Sequence, residues 1–514
     1  MPDSPSEPHG HGAAEPYDLA VIGAGPAGLA GAVTAAELGL SVALLDTTTH
    51  TGGQFYRHPA PASGATRPEA LHHDWSAYAA LRRRLARSEV RHLPAHHVWS
   101  LTRDAVDTES EAGAGIWAVH ALTGPDGGGE RPALVRARTV LLATGAYERQ
   151  LPFPGWTLPG VVGAGGVQAM LKSGLVLPGR RIVVAGSGPL LLAVASSLCA
   201  AGAQVPAVVE ASGYLRYGRH PRTLAANPHK AVEALVHGAA LLRNRVPVRQ
   251  RSAVTEVHGA DRVEAVTVTR LDRDWRPVRG SGRRIECDAL AVGHGLVPQI
   301  DLATALGCAT RALPDGTRAL ALSGLQETSV RGMWAAGETG GVGGVELARV
   351  EGELAALAVA SRILGRTVRH GRMRELAGRR RRMRAFADAM TAAHAPGPGW
   401  TRWLTDDTDV CRCEEVTAGR VREAVEDLGA RDARSVKLLT RAGMGWCQGR
   451  MCGAAVACLA SRGEAGQPSL ERRPFATPVP LAALAALDGR DVSDGPDVLD
   501  DPDAPDGSDS TLTT

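Results

Sequence analysis

Four of the eight cysteines arrive as two close pairs, Cys411/Cys413 and Cys447/Cys452, spaced C-x-C and C-x4-C with 33 residues between the pairs. Four thiolates delivered in this way make a soft, four-coordinate ligand set. An iron–sulfur cluster, a structural zinc and a set of unligated core cysteines are the three readings of it. Zinc knuckles favour C-x-x-C, which this chain lacks at all four positions. The other cysteines, Cys199, Cys287, Cys308 and Cys458, are scattered and read as small core residues.

A second set that can do chemistry is made of glycine. Gly23-Ala-Gly25-Pro26-Ala-Gly28 closes a short apolar run from Tyr17 and opens a helical stretch to about Leu38, and the next apolar run ends in Asp46. A βαβ unit needs this order. Gly23 permits the turn, Gly25 lets backbone N–H groups approach a pyrophosphate, Gly28 lets helix and strand pack closely, and Asp46 is placed to accept from a ribose. Thr51-Gly-Gly53-Gln54 follows as in loops that run beside a flavin, Thr144-Gly145 ends a buried strand, and Gly337-Glu338 ends another before a glycine-rich turn and a helix from about Glu346. Together these residues predict an FAD site. A second unit, Gly186-Ser-Gly188-Pro-Leu-Leu191, leads to a strand ending in Glu210. Leu191 stands where a third glycine would allow tight packing, so a structural domain is favoured over one that holds NAD or another adenine nucleotide.

These motifs must be carried by separate elements of a long chain. At 514 residues and 44% hydrophobic the protein has room for about three domains. The expected fold class is α/β, a two-dinucleotide-binding-domain flavoprotein followed by a small helical ferredoxin-like module. The boundaries drawn are 1–15 disordered; 16–150 and 291–368 FAD-binding; 151–290 the second dinucleotide domain; 369–408 a helical linker; 409–465 the cluster module; and 466–514 a docking segment with an acidic tail. Ile182 to Val209 is uncharged, but its glycines and prolines divide it into strand, turn, helix and strand rather than a membrane span. With 57 basic against 54 acidic side chains the chain has no one-signed surface for nucleic acid. Arg379 to Arg384 reads as a solvated or inter-subunit face. The N-terminus shows no signal peptide, so the expected location is cytoplasmic. No acid–base pair is nominated, and the catalytic residues for substrate are unknown.

Ala143-Thr-Gly-Ala-Tyr-Glu-Arg-Gln-Leu-Pro, Gly186-Ser-Gly-Pro-Leu-Leu and Ala291-Val-Gly-His294-Gly-Leu-Val-Pro, with the cysteine module behind them, resemble the FAD and iron–sulfur subunit of heteromeric amine dehydrogenases. That group includes the larger flavoprotein components of opine oxidase, hydrogen cyanide synthase and hydroxyproline dehydrogenase, together with part of the alpha component of sarcosine oxidase. The cysteine spacing is similar to that of bacterioferritin-associated ferredoxin, which implies that Cys411, Cys413, Cys447 and Cys452 hold [2Fe–2S]. The resemblance also implies a smaller FAD-dependent partner subunit that oxidises an amine or amino acid, a quinone or other electron acceptor, and a hetero-oligomer. The alternative is a self-contained NAD(P)H-dependent flavin reductase.

Overall fold

The computed structural model describes residues 15–60, 63–72, 74–103, 115–124, 130–461, 473 and 475–485. The N-terminal segment and the acidic tail from Asp488, both expected to be disordered, lie outside the described residues, apart from residue 15.

The first sheet is built on β1 (Tyr17–Ile22), which leads through α1 (Pro26–Ala36) to β2 (Val42–Leu45). β1 pairs in parallel with β2 on one side and with the end of the long strand β3 (Arg131–Leu142) on the other. The first half of β3 pairs instead with Trp117–Thr123 in an antiparallel hairpin layer. One strand therefore joins a nucleotide-binding sheet to a side layer. After β3 the chain makes a short crossing strand, β4 (Ala146–Glu148), and enters the second domain.

There α2 (Ala164–Gly174), β5 (Ile182–Gly186), α3 (Leu190–Ala200), β6 (Val208–Glu210) and β7 (Ala289–Gly293) build a five-stranded parallel sheet with Val161–Gly163 and Val248–Gln250. The uncharged stretch from Ile182 is thus strand, turn, helix and strand. Among the described residues no helix is long and apolar enough to cross a membrane. The boundary drawn at 291 falls inside β7, which hydrogen-bonds β5 along its whole length. The chain leaves this domain only after Gly293. It returns through β8 (Leu296–Pro298), which pairs antiparallel with β4, so the two crossings are tied to each other.

β9 (Met333–Ala335) then adds to β3 on the side away from β1, and α4 (Val345–Ile363) packs across α1. Close approach explains the glycines here. A Cβ on Gly352 would stand 2.0 Å from the Ala27 carbonyl oxygen. α5 (His370–Ala393) follows, and then the small module of α6 (Ala418–Glu426), α7 (Ala433–Thr440) and α8 (Gly453–Ala460). Thr417 and Asp432 cap the first two through their side chains, accepting from the N–H groups of Arg420 and Ser435. This module shares one hydrophobic core with the second domain, where Trp156 and Trp275 join Trp400, Trp403, Val421 and Val436. The segment 475–485 lies on the first domain: Phe475 meets Trp99 edge-on, and the Ala476 N–H donates to the Trp99 carbonyl at 2.9 Å.

Candidate flavin and cluster sites

The carboxyl ends of β1, β2, β3 and β9 bring Gly23, Asp46, Thr144 and Gly337 to one edge of the sheet, the place where open α/β sheets take ligands. Gly23 has φ +103° and donates its N–H to the Leu45 carbonyl; a Cβ there would strike the Ala143 carbonyl oxygen at 2.4 Å. Gly28 is fixed equally firmly, because a Cβ would lie 1.8 Å from the Gly23 oxygen. Gly25 differs: its nearest neighbour would be the Gly53 Cα, at 3.9 Å. The space over Gly25 is open to a ligand. α1 begins at Pro26 with no acidic residue in its first turn, and its positive end faces that space.

Asp46 also holds the turn of the chain. Its Oδ2 accepts from the Ala24 N–H, and its Oδ1 accepts from the N–H and hydroxyl of Thr48 at 2.7 and 2.6 Å. The carboxylate therefore braces the glycine turn itself and has only its remaining lone pairs for a ribose. Gly52 donates to the Ala24 carbonyl at 2.8 Å, which ties the Thr51–Gln54 loop to the same turn, while the Gln54 side chain accepts from Arg57. Thr144 donates its hydroxyl to the Gln299 carbonyl, and Gly145 accepts from the Gln299 N–H, so this corner is latched to the returning chain.

At the second glycine–acid turn Gly337 has φ +78°, and a Cβ there would press the Ala27 side chain at 3.0 Å. Glu338 turns toward the glycine-rich loop and accepts from the Gly344 N–H at 3.3 Å. Burial raises its carboxyl above the ordinary range, opposed by the Gly344 N–H and Arg384. The acid that holds Gly337 is one the sequence reading missed. Glu351 on α4 is fully buried, accepts from the Gly337 N–H at 3.0 Å and pairs with Arg384 at 2.5 Å and Arg380 at 3.1 Å. Nothing in the sequence singles it out, since Glu346, Arg349, Glu353 and Arg362 are charges on the same helix.

These contacts correct the reading of Arg379 to Arg384 as a solvated or inter-subunit face. Arg379 pairs with Glu346, Arg380 and Arg384 pair with Glu351, and Arg384 also donates to the Gly341 carbonyl. Only Arg381 and Arg382 of the run are exposed. A run of arginines can face inward where the neighbouring helix supplies buried carboxylates.

The second dinucleotide unit is closed by its own chain. Glu210 is fully buried and already accepts from the N–H groups of Gly188 at 3.0 Å and Ser212 at 2.9 Å. His394, just past the end of α5, sits over it with Nδ1 3.4 Å from Glu210 Oε1 and Nε2 3.1 Å from the Tyr217 hydroxyl. The Ser187 hydroxyl, between Gly186 and Gly188, donates to the His394 carbonyl. The imidazole and carbonyl of His394 thus contact the acid meant for a ribose and the loop meant for a pyrophosphate. Leu191 is buried among Val184 and Val194, where the first unit has a glycine.

The four cysteines meet at one end of the small module. Cys411 ends a short strand, Cys413 follows it in an exposed turn, Cys447 lies in a loop, and Cys452 is the residue before α8. The Cys452 thiol donates to Cys411. With the N–H groups of Gly443, Glu414 and Cys413 it holds the Cys411 thiol down at about 5 and is itself pushed up. Cys413 pairs in the same way with Cys447. Among the described residues no three Cys, His, Asp or Glu side chains converge as ligands of one ion would. Two sulfur pairs, one buried and one at the surface, fit two irons better than a single tetrahedral zinc. Backbone passes close by. A Cβ on Gly445 would lie 2.3 Å from the Cys413 Cβ, and Gly443 has φ +89°.

Residues 17–360 match the family described as pyridine nucleotide-disulphide oxidoreductase. The chain belongs to this family. Residues 410–461 match the BFD-like [2Fe–2S] binding domain. Hydrogen cyanide synthase subunit HcnB of Pseudomonas aeruginosa is 33% identical over 448 residues, covering 84% of this chain and 90% of that relative. The A component of opine oxidase from Agrobacterium tumefaciens is 34% identical over 456 residues, covering 86% and 84%. The alpha component of sarcosine oxidase from Corynebacterium is 32% identical over 288 residues, 27% of its length. L-proline dehydrogenase from P. horikoshii shares the fold, with a TM-score of 0.63 at 20% identity over 91% of this chain and 79% of that one. The protein is accordingly an oxidoreductase flavoprotein, and its cofactors are FAD and a [2Fe–2S] cluster.

Proposed function

We propose that this chain is the electron-relaying subunit of a heteromeric amine or amino-acid dehydrogenase of the opine, hydroxyproline, sarcosine or glycine type. A smaller FAD-dependent partner takes two electrons and two protons from a CH–NH donor, and the resulting imine hydrolyses. The electrons reach a quinone or another acceptor by way of this chain. FAD exchanges two electrons and the cluster one, so the pair can link paired to single-electron transfer.

In this reading the chain's own residues serve only cofactors. Gly23, Gly25, Pro26, Gly28, Gly53, Thr144, Gly145 and Gly337 form the backbone edge for FAD, Asp46 and Glu351 hold its turns, and Cys411, Cys413, Cys447 and Cys452 hold the cluster. Gln54 and Glu338 lie on the loops at that edge. The observation that carries the proposal is the closed mouth of the second unit. His394 contacts Ser187 and Glu210, the loop and the acid that a reduced nicotinamide dinucleotide would use, which supports an electron source outside this chain. Assaying the isolated chain and the co-expressed pair with opines, hydroxyproline, sarcosine and glycine against a dye acceptor tests it. Full amine turnover by the single chain contradicts the division of labour.

A further inference from the structure

The helix Pro228–Arg243 of the second domain has its inner side fixed. Leu241 joins Val194 and Leu198 in that domain's core, and His237 Nδ1 lies 2.8 Å from the Ser196 hydroxyl on α3. On an ordinary surface helix the outer side would be polar. Here residues 232, 235, 236, 239 and 242 share that side at helical spacing, and they are Val, Leu, Val, Ala and Leu. Val232, Leu235, Val236 and Leu242 are exposed at 59, 71, 56 and 79%. Large aliphatic side chains aligned along one exposed helix mark a surface that meets something apolar.

The charge around this ridge has one sign. Residues 211–255 hold eight arginines and lysines and a single acid, Glu233. Glu233 pairs with Lys230 at 2.7 Å, and Glu346, which meets the helix at His229, is held by Arg379. Arg219 and Arg222 in the turns that enter the helix, Arg243 in its last turn and Arg245 just beyond it are exposed, and among the described residues their guanidinium groups have no carboxylate partner. That rim disfavours a second copy of this chain, since a two-fold contact through the ridge brings arginines toward arginines. A protein partner would normally be anchored by aromatic side chains in a pocket, whereas this helix is aliphatic and stands outward. A bilayer needs no matching groove, and arginine suits the phosphates of its headgroups.

We propose that this face binds an anionic lipid bilayer. Val232, Leu235, Val236 and Leu242 enter the boundary between headgroups and acyl chains, and Arg219, Arg222, Arg243 and Arg245 meet lipid phosphates. The helix keeps its inner side on α3, so the chain lies on the membrane surface. The inference does not rest on the relay reading, because binding requires only this helix and its arginines.

Sedimentation of the FAD- and cluster-loaded chain with vesicles tests it, one set made of phosphatidylcholine alone and one of phosphatidylcholine and phosphatidylglycerol in equal parts. Binding is expected to the mixed vesicles and not to the neutral ones, and it should weaken as salt is raised. Leu235→Ser with Leu242→Ser, and separately Arg243→Gln with Arg245→Gln, all at exposed positions, should each weaken it about tenfold while flavin and iron content stay unchanged. Absence of binding to the mixed vesicles, equal binding to both sets, or binding untouched by either pair of substitutions overturns the proposal. If the vesicles are ignored and the leucine pair instead dissolves a dimer of the chain, or its complex with the smaller flavoprotein, the ridge is a protein interface and the proposal fails.

Discussion

At the scale of single residues the two glycines of the first turn should behave differently. Gly25→Ala adds a Cβ with room inside the protein, so its expected effect is lost FAD with little change in the apoprotein's thermal midpoint. Gly28→Ala forces the helix off the strand and should lower both, read by flavin absorbance and by thermal unfolding. Cys413→Ser should remove the cluster, measured as loss of iron and acid-labile sulfide on anaerobically isolated protein; stoichiometric zinc in the wild type would contradict the assignment. His294 is buried beside Trp275 and Trp403, and desolvation lowers its imidazole to about 3. The unfolded chain takes up this proton below about 6.5 and the native state only near 3, so stability is lost as pH falls through that window, by up to about 1.4 kcal/mol per unit. His294→Asn should flatten the wild-type slope between pH 6.5 and 4 in denaturant titrations, whereas an unchanged slope would mean the ring is protonated in the native state.

At the scale of elements the folded order of strands and helices was legible because each glycine turn closed a short, continuously apolar run and opened a helical stretch, as at Gly23 and Gly186. The cysteine spacing was equally readable, since ligand sets are written in short range. Partners distant in sequence were not. Nothing local to Arg384 says that Glu351, on the preceding helix, will bury its carboxylate against it, and nothing near Glu210 announces that residue 394 will cover it. The turn contacts of Asp46 were hidden for a related reason: an acid at a strand end suits a ribose, and only the folded chain shows that it also holds the glycine turn beneath it. The buried Glu351 cluster makes a firm prediction. Glu351→Gln leaves two guanidinium groups without their carboxylate and should destabilise by about 3–5 kcal/mol in chemical denaturation, with weaker FAD retention because Gly337 loses its acceptor. A change below about 1 kcal/mol would mean that solvent reaches this pair.

At the scale of the whole molecule, the flavin edge lies on the first domain, while the cluster module shares a core with the second domain and its α7–α8 loop region meets the crossing strands β4 and β8 along a cleft. The second dinucleotide domain shares its core with the three-stranded layer of Ser252–His258, Ala265–Arg270 and Arg283–Glu286 and with the cluster module, and His394, just past α5, contacts its Ser187 and Glu210. The proposed relay role requires a frame that fixes two redox sites, and this one does. The most direct measurement is anaerobic flavin bleaching, followed at the flavin absorbance maximum, for the isolated chain and for the chain co-expressed with its smaller flavoprotein. The isolated chain should stay oxidised with NADH, with NADPH and with each amine, and in the complex the right amine should bleach this chain's flavin within the turnover time. Rapid bleaching of the isolated chain by NADH would contradict the account and establish the reductase reading in its place.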